Sequence, residues 1–157
     1  MDRMNRIEEA PEAYDLSGQD IGLAMKVHST LGPGFLESVY QNALIWELRK
    51  SGFKSEAERP ISVYYGGQTV GAFTADVLVN GSLIVELKAS QSLAKAHEVQ
   101  LVNYLVATGL DEGLLLNFGV ERLEFKKKFR LPRKSKFLSD FSELFLFILF
   151  ILSKNET

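Results

Sequence analysis

Between Phe73 and Lys88 the chain alternates so regularly that few strand registers survive. The segments Phe73-Thr74-Ala75-Asp76-Val77-Leu78 and Leu83-Ile84-Val85-Glu86-Leu87-Lys88 flank a turn that contains Asn80-Gly81, which is a hairpin pattern. A two-residue Asn80-Gly81 loop pairs Val79 with Ser82 and Asp76 with Val85. Glu86 and Lys88 then share a face with Ala75 and Val77. A three-residue loop, Val79-Asn80-Gly81, pairs Asp76 with Ile84 instead. Phe73, Ala75, Val77, Leu83, Val85 and Leu87 then make one apolar face, and Asp76, Glu86 and Lys88 converge on the other. A one-residue slip exchanges the faces of a whole strand, so the hydrophobic pattern selects the second register, with Gly81 in a left-handed conformation. A wide bulge elsewhere in the hairpin has the same effect.

Two carboxylates and a lysine on neighbouring strands form a candidate divalent-metal site for attack on a phosphodiester. That reaction needs a water of lowered pKa, an aligned nucleophile and neutralisation of developing charge. Lys88 suits an electrostatic and orienting role better than that of a free general base. A Glu-x-Lys on a strand is also a common solvated pair, and only Asp76 opposite it raises the chemical reading. The chain has no cysteine, which removes thiolate ligands, disulfides and cysteine nucleophiles. It has two histidines, His28 and His97, which read as structural. Oxygen donors remain, and these favour Mg²⁺ or Mn²⁺ as the cofactor.

The 157 residues suit one domain. We expect that domain over residues 1–131, with a basic and apolar tail, expected to be helical, over 132–157. A first helix is expected from near Ser17, with Ile21, Ala24, Met25, His28 and Leu31 at helical spacing, broken by Gly32-Pro33-Gly34. A second follows with Leu36, Val39, Ala43 and Trp46 on one stripe and Glu37, Tyr40, Leu44 and Leu48 on the next, stopping at Ser51-Gly52. Ile61, Val63 and Tyr65 then alternate as a strand before Gly66-Gly67, and Gln68 opens the next strand. A third helix over about 93–108 ends at Gly109, with Val99, Val102 and Leu105 or Val106 facing the core and His97, Gln100 and Tyr104 on another face. Gly113–Phe118 reads as a buried strand, and 121–131 as a strand at the sheet edge.

Charge is unevenly spread. Residues 1–121 carry 9 basic and 16 acidic side chains, whereas 122–157 carry 9 basic and 4 acidic. Arg122, Lys126, Lys127, Lys128, Arg130, Arg133, Lys134 and Lys136 supply most of that stripe. It either neutralises phosphates or protects an exposed edge strand. The apolar run from Leu144 to Leu152 is short of the roughly 20 residues that span a bilayer. Docking on the domain or on a second copy, as a homodimer, is the expectation, with membrane association disfavoured. The acidic amino terminus lacks the apolar core of a secretory signal, so a cytoplasmic location is expected.

Gly34-Phe35-Leu36-Glu37-Ser38-Val39-Tyr40 fits the pattern G-x-x-E-x-x-Y. With Val27-His28, Leu31-Gly32-Pro33, Asp76, Glu86-Leu87-Lys88, His97-Glu98-x-Gln100, Tyr104 and the Leu114–Phe118 run, the chain resembles the GxxExxY family of PD-(D/E)XK nuclease-like proteins over roughly residues 17–120. The resemblance implies an α/β restriction-endonuclease-like core, a mixed central β-sheet flanked by α-helices. It implies metal-binding carboxylates at Asp76 and Glu86, with a further ligand from the backbone carbonyl of Leu87. Glu37 corresponds to the helix glutamate that completes the metal shell in RecB-like members. Lys88 corresponds to the lysine that orients water, and Gln100 and Tyr104 to the Q-x-x-x-Y element that supports the lysine and the substrate strand. Tyr40 reads as a packing residue with a hydrogen-bonded hydroxyl.

A metal-dependent nuclease acting on DNA or RNA is the expectation that follows. A catalytically silent nucleic-acid-binding or protein-interaction module that keeps the fold is the alternative, motivated by the acidic first 121 residues.

Overall fold

A computed structural model describes residues 15–130 of the chain. The tail over 132–157, with the homodimer expected through it, lies outside the described residues. The elements run α1 (Leu16–Leu31), α2 (Glu37–Lys50), β1 (Ser55–Tyr65), β2 (Gln68–Val79), β3 (Leu83–Lys88), α3 (Lys95–Thr108), β4 (Glu112–Asn117) and β5 (Glu124–Phe129). The five strands form one sheet in the order β1-β2-β3-β4-β5. Every neighbouring pair is antiparallel except β3 and β4. A parallel pair needs a crossover, and α3 supplies it.

Two cores lie on opposite faces of the sheet. The larger joins α1 and α2 to β2, β3 and β4 through Ala24, Leu44, Leu48, Val77, Val85 and Leu116, among others. The smaller joins Leu101, Tyr104 and Leu105 of α3 to Ile61, Ala75, Leu78, Ile84 and Leu115. This is the expected mixed sheet flanked by helices. β3 is buried along almost its whole length, as a central strand covered on both faces must be.

Several local expectations are corrected. The cap of α1 is Asp15, whose Oδ1 accepts the Gly18 N–H at 2.9 Å and the Ser17 hydroxyl at 3.0 Å, so the helix starts ahead of Ser17. Of the two stripes on α2, the one with Tyr40, Leu44 and Leu48 is buried, joined by Ile45, while Trp46 of the other is exposed. In α3 the inward residues are Glu98, Leu101, Tyr104 and Leu105, while Val99 and Val106 are exposed. Gly113 leaves room for the inward Leu101: a Cβ there would lie 2.7 Å from Leu101 Cδ1. The absent side chain on β4 therefore admits Leu101 at close range.

The hairpin register is also corrected. Val79 pairs with Leu83, Leu78 with Ile84 and Val77 with Val85. The loop is Asn80-Gly81-Ser82, two residues out of step with the expected pairing and therefore of the same face parity. Gly81 is left-handed at φ 66°, as expected, and Asn80 joins it at φ 51°. The apolar face itself breaks at Asp76: Val77 packs with α1 and α2, but Ala75 packs against α3, and the Phe73 ring lies beside Tyr104. Glu58 opposite Asp76 has φ 51°, and this pair alone is missing from the β1–β2 ladder between Ser55↔Val79 and Val63↔Gly71. The alternation of β2 switches sides at that irregularity.

One buried carboxylate stands apart. Asp20 of α1 is fully buried, and among the described residues neither of its oxygens has a hydrogen-bond partner. Burial pushes its pKa up from 3.8 to about 7.

Candidate active site

Beyond Val77 and Val85 the β2–β3 ladder stops, and side chains take over its hydrogen bonds. Asp76 Oδ2 accepts the Leu87 N–H at 2.7 Å, and Glu86 Oε1 accepts the Asp76 N–H at 3.2 Å. Each carboxylate thus reaches across to the other strand's backbone, and the clasp stands where the strands part. From Asp76 backwards, β2 continues with β1 alone. From Glu86 onwards, β3 continues beside β4 to the Lys88↔Asn117 pair.

The electrostatics follow from this crowding. Burial raises the pKa of Asp76; the Leu87 N–H and the Lys88 charge pull it back, while Glu37 and Glu58 push it further up. Burial, and then the Asp76 charge, carry Glu86 up to about 8, against the pull of Lys88. Two carboxylates this close in a dry place favour a shared proton. A bound cation relieves the same repulsion. Tyr104 is largely buried on α3; burial and the negative charges of Glu86 and Asp76 raise its pKa.

Asp76, Glu86, Lys88 and Tyr104 are therefore brought within mutual influence. Glu37 lies in the exposed first turn of α2, close enough for its charge to act on Asp76. The G-x-x-E-x-x-Y element accounts for its placement. The Tyr40 hydroxyl donates to the Gly32 carbonyl at 2.6 Å and accepts the Phe35 N–H at 3.1 Å. Its ring stacks on Phe118 at 4.6 Å. Tyr40 therefore fixes the turn from which α2, and Glu37 with it, begins. Leu87 contributes the N–H that orients Asp76 while its side chain fills the core. Gln100, one turn before Tyr104, is exposed and makes no hydrogen bond to the carboxylates among the described residues.

Two further residues belong to this neighbourhood. Gln41 Nε2 donates to Glu58 Oε1 at 2.7 Å and to the Asp76 carbonyl at 2.8 Å. It lies one turn after Glu37 on the same helix face, which was a usable signal. Glu58 had none, because its place opposite Asp76 depends on the irregularity in β1. The histidines are structural: His28 Nε2 contacts the Val120 carbonyl at 2.8 Å, and His97 Nδ1 accepts the Ala94 N–H at 3.2 Å at the start of α3.

The described part of the basic stripe on β5 is largely ion-paired. Lys126, at 2.6 Å, and Lys128 both pair with Glu98 of α3. Lys127 pairs with Asp15 at 3.4 Å and Arg130 with Asp111 at 2.7 Å. Arg133, Lys134 and Lys136 lie outside the described residues.

The carboxylate clasp at the point where two strands diverge, followed by a lysine, can be placed by comparison. The sequence matches the model of the PD-(D/E)XK nuclease superfamily over residues 14–129. The chain belongs to that superfamily. Its five-stranded mixed sheet with flanking helices is the PD-(D/E)XK nuclease fold. Among solved structures it is similar to SSO0001, with a TM-score of 0.50 and 18% identity over 64% of this chain. The chain spans about half of that protein, 53% of its length. It is also similar to the alkaline exonuclease LHK-Exo from Laribacter hongkongensis, with a TM-score of 0.43 and 10% identity, covering 83% of this chain and 87% of that one. No curated protein matches. No described helix is long and apolar enough to cross a membrane.

The donor set fits a hard divalent cation of the kind this superfamily generally uses. Asp76 and Glu86 are oxygen donors in a dry setting whose repulsion a cation relieves. Among the described residues no three acidic or histidine side chains already form a closed cluster. Mg²⁺ is commonly held by one or two carboxylates, with water and substrate phosphate filling the rest.

Proposed function

We propose that this protein is a divalent-metal-dependent nuclease of the GxxExxY group, with RecB-like site features, that hydrolyses phosphodiester bonds in DNA or RNA. The observation that carries the reading is the reciprocal clasp, Asp76 on the Leu87 N–H and Glu86 on the Asp76 N–H, beside Lys88. Asp76 and Glu86 would hold Mg²⁺ or Mn²⁺, with the Leu87 carbonyl and Glu37 as further ligands. The cation supplies a water of lowered pKa and neutralises charge on the phosphoryl group.

The chain's own residues do the rest. The Leu87 N–H fixes the orientation of Asp76. Gln41 ties α2 to the Asp76 carbonyl and to Glu58, which holds Glu37 near the carboxylates. Lys88 orients the attacking water and offsets charge on the phosphorane. Tyr104 and, from one turn earlier, Gln100 support the substrate strand. Residues 1–131 form the nuclease-like domain, with 132–157 as its tail.

A second reading keeps the fold without turnover, as a nucleic-acid-binding or protein-interaction module. The pairing of Lys126 and Lys128 with Glu98 favours it, because it removes cations from any phosphate-binding surface.

The test incubates the protein with labelled single- and double-stranded DNA and RNA in Mg²⁺, Mn²⁺ or EDTA, beside Lys88→Ala and Glu86→Ala. Cation-dependent cutting lost in both variants supports the nuclease. Tight binding without cutting, and without cation uptake, supports the silent module.

A further inference from the structure

A groove of about 400 Å³ lies on the α3 side of the sheet, between β1 and the C-terminal half of α3. It is lined by sequence neighbours of the carboxylates and not by the carboxylates themselves. Ala75, which immediately precedes Asp76, lines it, as does Ile84, two residues before Glu86 on the same face of β3. Ala107, three residues beyond Tyr104 on α3, borders it too. Ile61 continues the apolar floor, and Arg59, Ser62 and Tyr64 form a polar and aromatic rim. Tyr64 is 67% exposed. Phe73, 46% exposed, has its ring centre 5.5 Å from that of Tyr104.

Resting on the nuclease reading, we propose that this groove receives an unpaired base of the substrate strand, so that the protein takes single-stranded nucleic acid in preference to intact duplex. Three observations converge. The volume falls in the range of about 300–1,000 Å³ typical of small-molecule sites, and its apolar floor suits the face of a base. That face is available only when the base is unstacked. Tyr64 and Phe73 offer exposed rings on the two-stranded β1–β2 ribbon, which are the stacking elements of sequence-tolerant single-strand binding, and Arg59, paired with Glu56 at 3.1 Å, borders them. Duplex binding, in contrast, depends on a field of unpaired cations, and Lys126 and Lys128 are already committed to Glu98.

The experiment measures anisotropy of short labelled DNA and RNA, single-stranded and as blunt hairpin duplexes, in EDTA and in Mg²⁺. It uses the full chain and its Tyr64→Ala and Tyr64→Phe variants, with cleavage assayed in parallel and a thermal melt of each variant. The expected result is single-strand binding at least about tenfold tighter than duplex, weakened about tenfold in Tyr64→Ala and retained in Tyr64→Phe, with unchanged melting. Equal affinity for both forms, or full affinity in Tyr64→Ala, overturns the groove proposal, and cation-dependent cutting in the same samples leaves the nuclease intact. Single-strand preference that depends on Tyr64 without cutting upholds the groove and removes the nuclease. Neither binding nor cutting removes both.

Discussion

Glu86 and Glu98 are acidic residues on adjacent elements, covered by the same fold, with opposite electrostatic fates. Glu86 faces a second carboxylate, and burial and repulsion carry it up to about 8. Glu98 faces Lys126 and Lys128, and these hold it down to about 2. The first arrangement stores repulsion that a cation relieves; in the second the carboxylate is already paired, and it binds the edge strand β5 to α3. Asp20 separates the two causes. It is buried alone, and burial by itself takes it to about 7. A raised pKa therefore does not mark the candidate site. The convergence of two carboxylates with a lysine does.

The largest expected effect is on turnover. Lys88→Ala and Glu86→Ala should each lower single-turnover cleavage by about 10³-fold or more, by analogy with removal of a preorganised charge-stabilising group. Lys88→Ala should melt lower than the parent protein, because the lysine offsets the two carboxylates, whereas Glu86→Gln should melt higher at pH 8 because it removes the repelling charge. Glu98→Gln should leave cleavage within about twofold, since it lies away from the reacting groups. A cleavage defect in Glu98→Gln equal to that of Lys88→Ala would erase the distinction between the two regions.

The next effect is on cation affinity. A cation must displace the proton that Glu86 holds up to about pH 8, so Mn²⁺ affinity should rise with pH, by at most about tenfold per unit, and level off above that value. Titration calorimetry in buffers of different ionisation enthalpy would also register the released proton. An affinity flat from pH 6 to 9 would mean that Glu86 is not a ligand. Stability of the cation-free protein should run the other way. A carboxyl whose folded pKa is raised contributes most below its unfolded value of 4.5, and that contribution is lost as pH rises through about 8.

Asp20 gives the same sign without any cation. Its contribution is present below 3.8 and lost as pH rises through about 7, a loss of about 4 kcal/mol on the scale of 1.36 kcal/mol per pKa unit. Asp20→Asn should remove that slope from denaturant-unfolding profiles between pH 4 and 7. A slope undiminished in Asp20→Asn would assign the whole pH dependence to Glu86 and Asp76.

How much of this was legible depends on how local each feature is. The face parity of Asp76, Glu86 and Lys88 could be read from the sequence because the apolar residues of β3 alternate without a break, and alternation tolerates only even shifts. The loop was misplaced for the same reason: a shift of two preserves every face, so the pattern cannot count it. Phe73 and Ala75 were put on the wrong side because β2 changes faces at Asp76, and the left-handed Glu58 across the ladder leaves no mark in the composition of β2. Val99 and Val106 looked like core because they are apolar. The inward face of α3 instead carries Leu101, Tyr104 and Leu105, with Leu101 close against Gly113, twelve residues away. The stripe on β5 invited a phosphate-binding reading, since nothing near Lys126 in sequence announces Glu98 as its partner.

The smallest effect tests whether that partner matters. Glu98 sits between Lys126 and Lys128, two residues on one face of β5, and its depressed pKa means that its stabilisation is present above 4.5 and lost as pH falls towards about 2. Glu98→Gln keeps the shape and removes the charge, leaving two lysines of β5 beside each other without their carboxylate. It should lower the melting temperature by about 3 °C at pH 7, and by less as the pH is taken below 4, where the parent carboxylate is itself being protonated. Lys127→Ala, which breaks an exposed contact to Asp15, should not move the melt measurably. Equal losses in the two variants would mean that β5 is held by general charge balance; a loss confined to Glu98→Gln would locate the attachment of the edge strand in that one carboxylate. In that second case Lys126 and Lys128 are structural cations, and the substrate strand must be held by other groups.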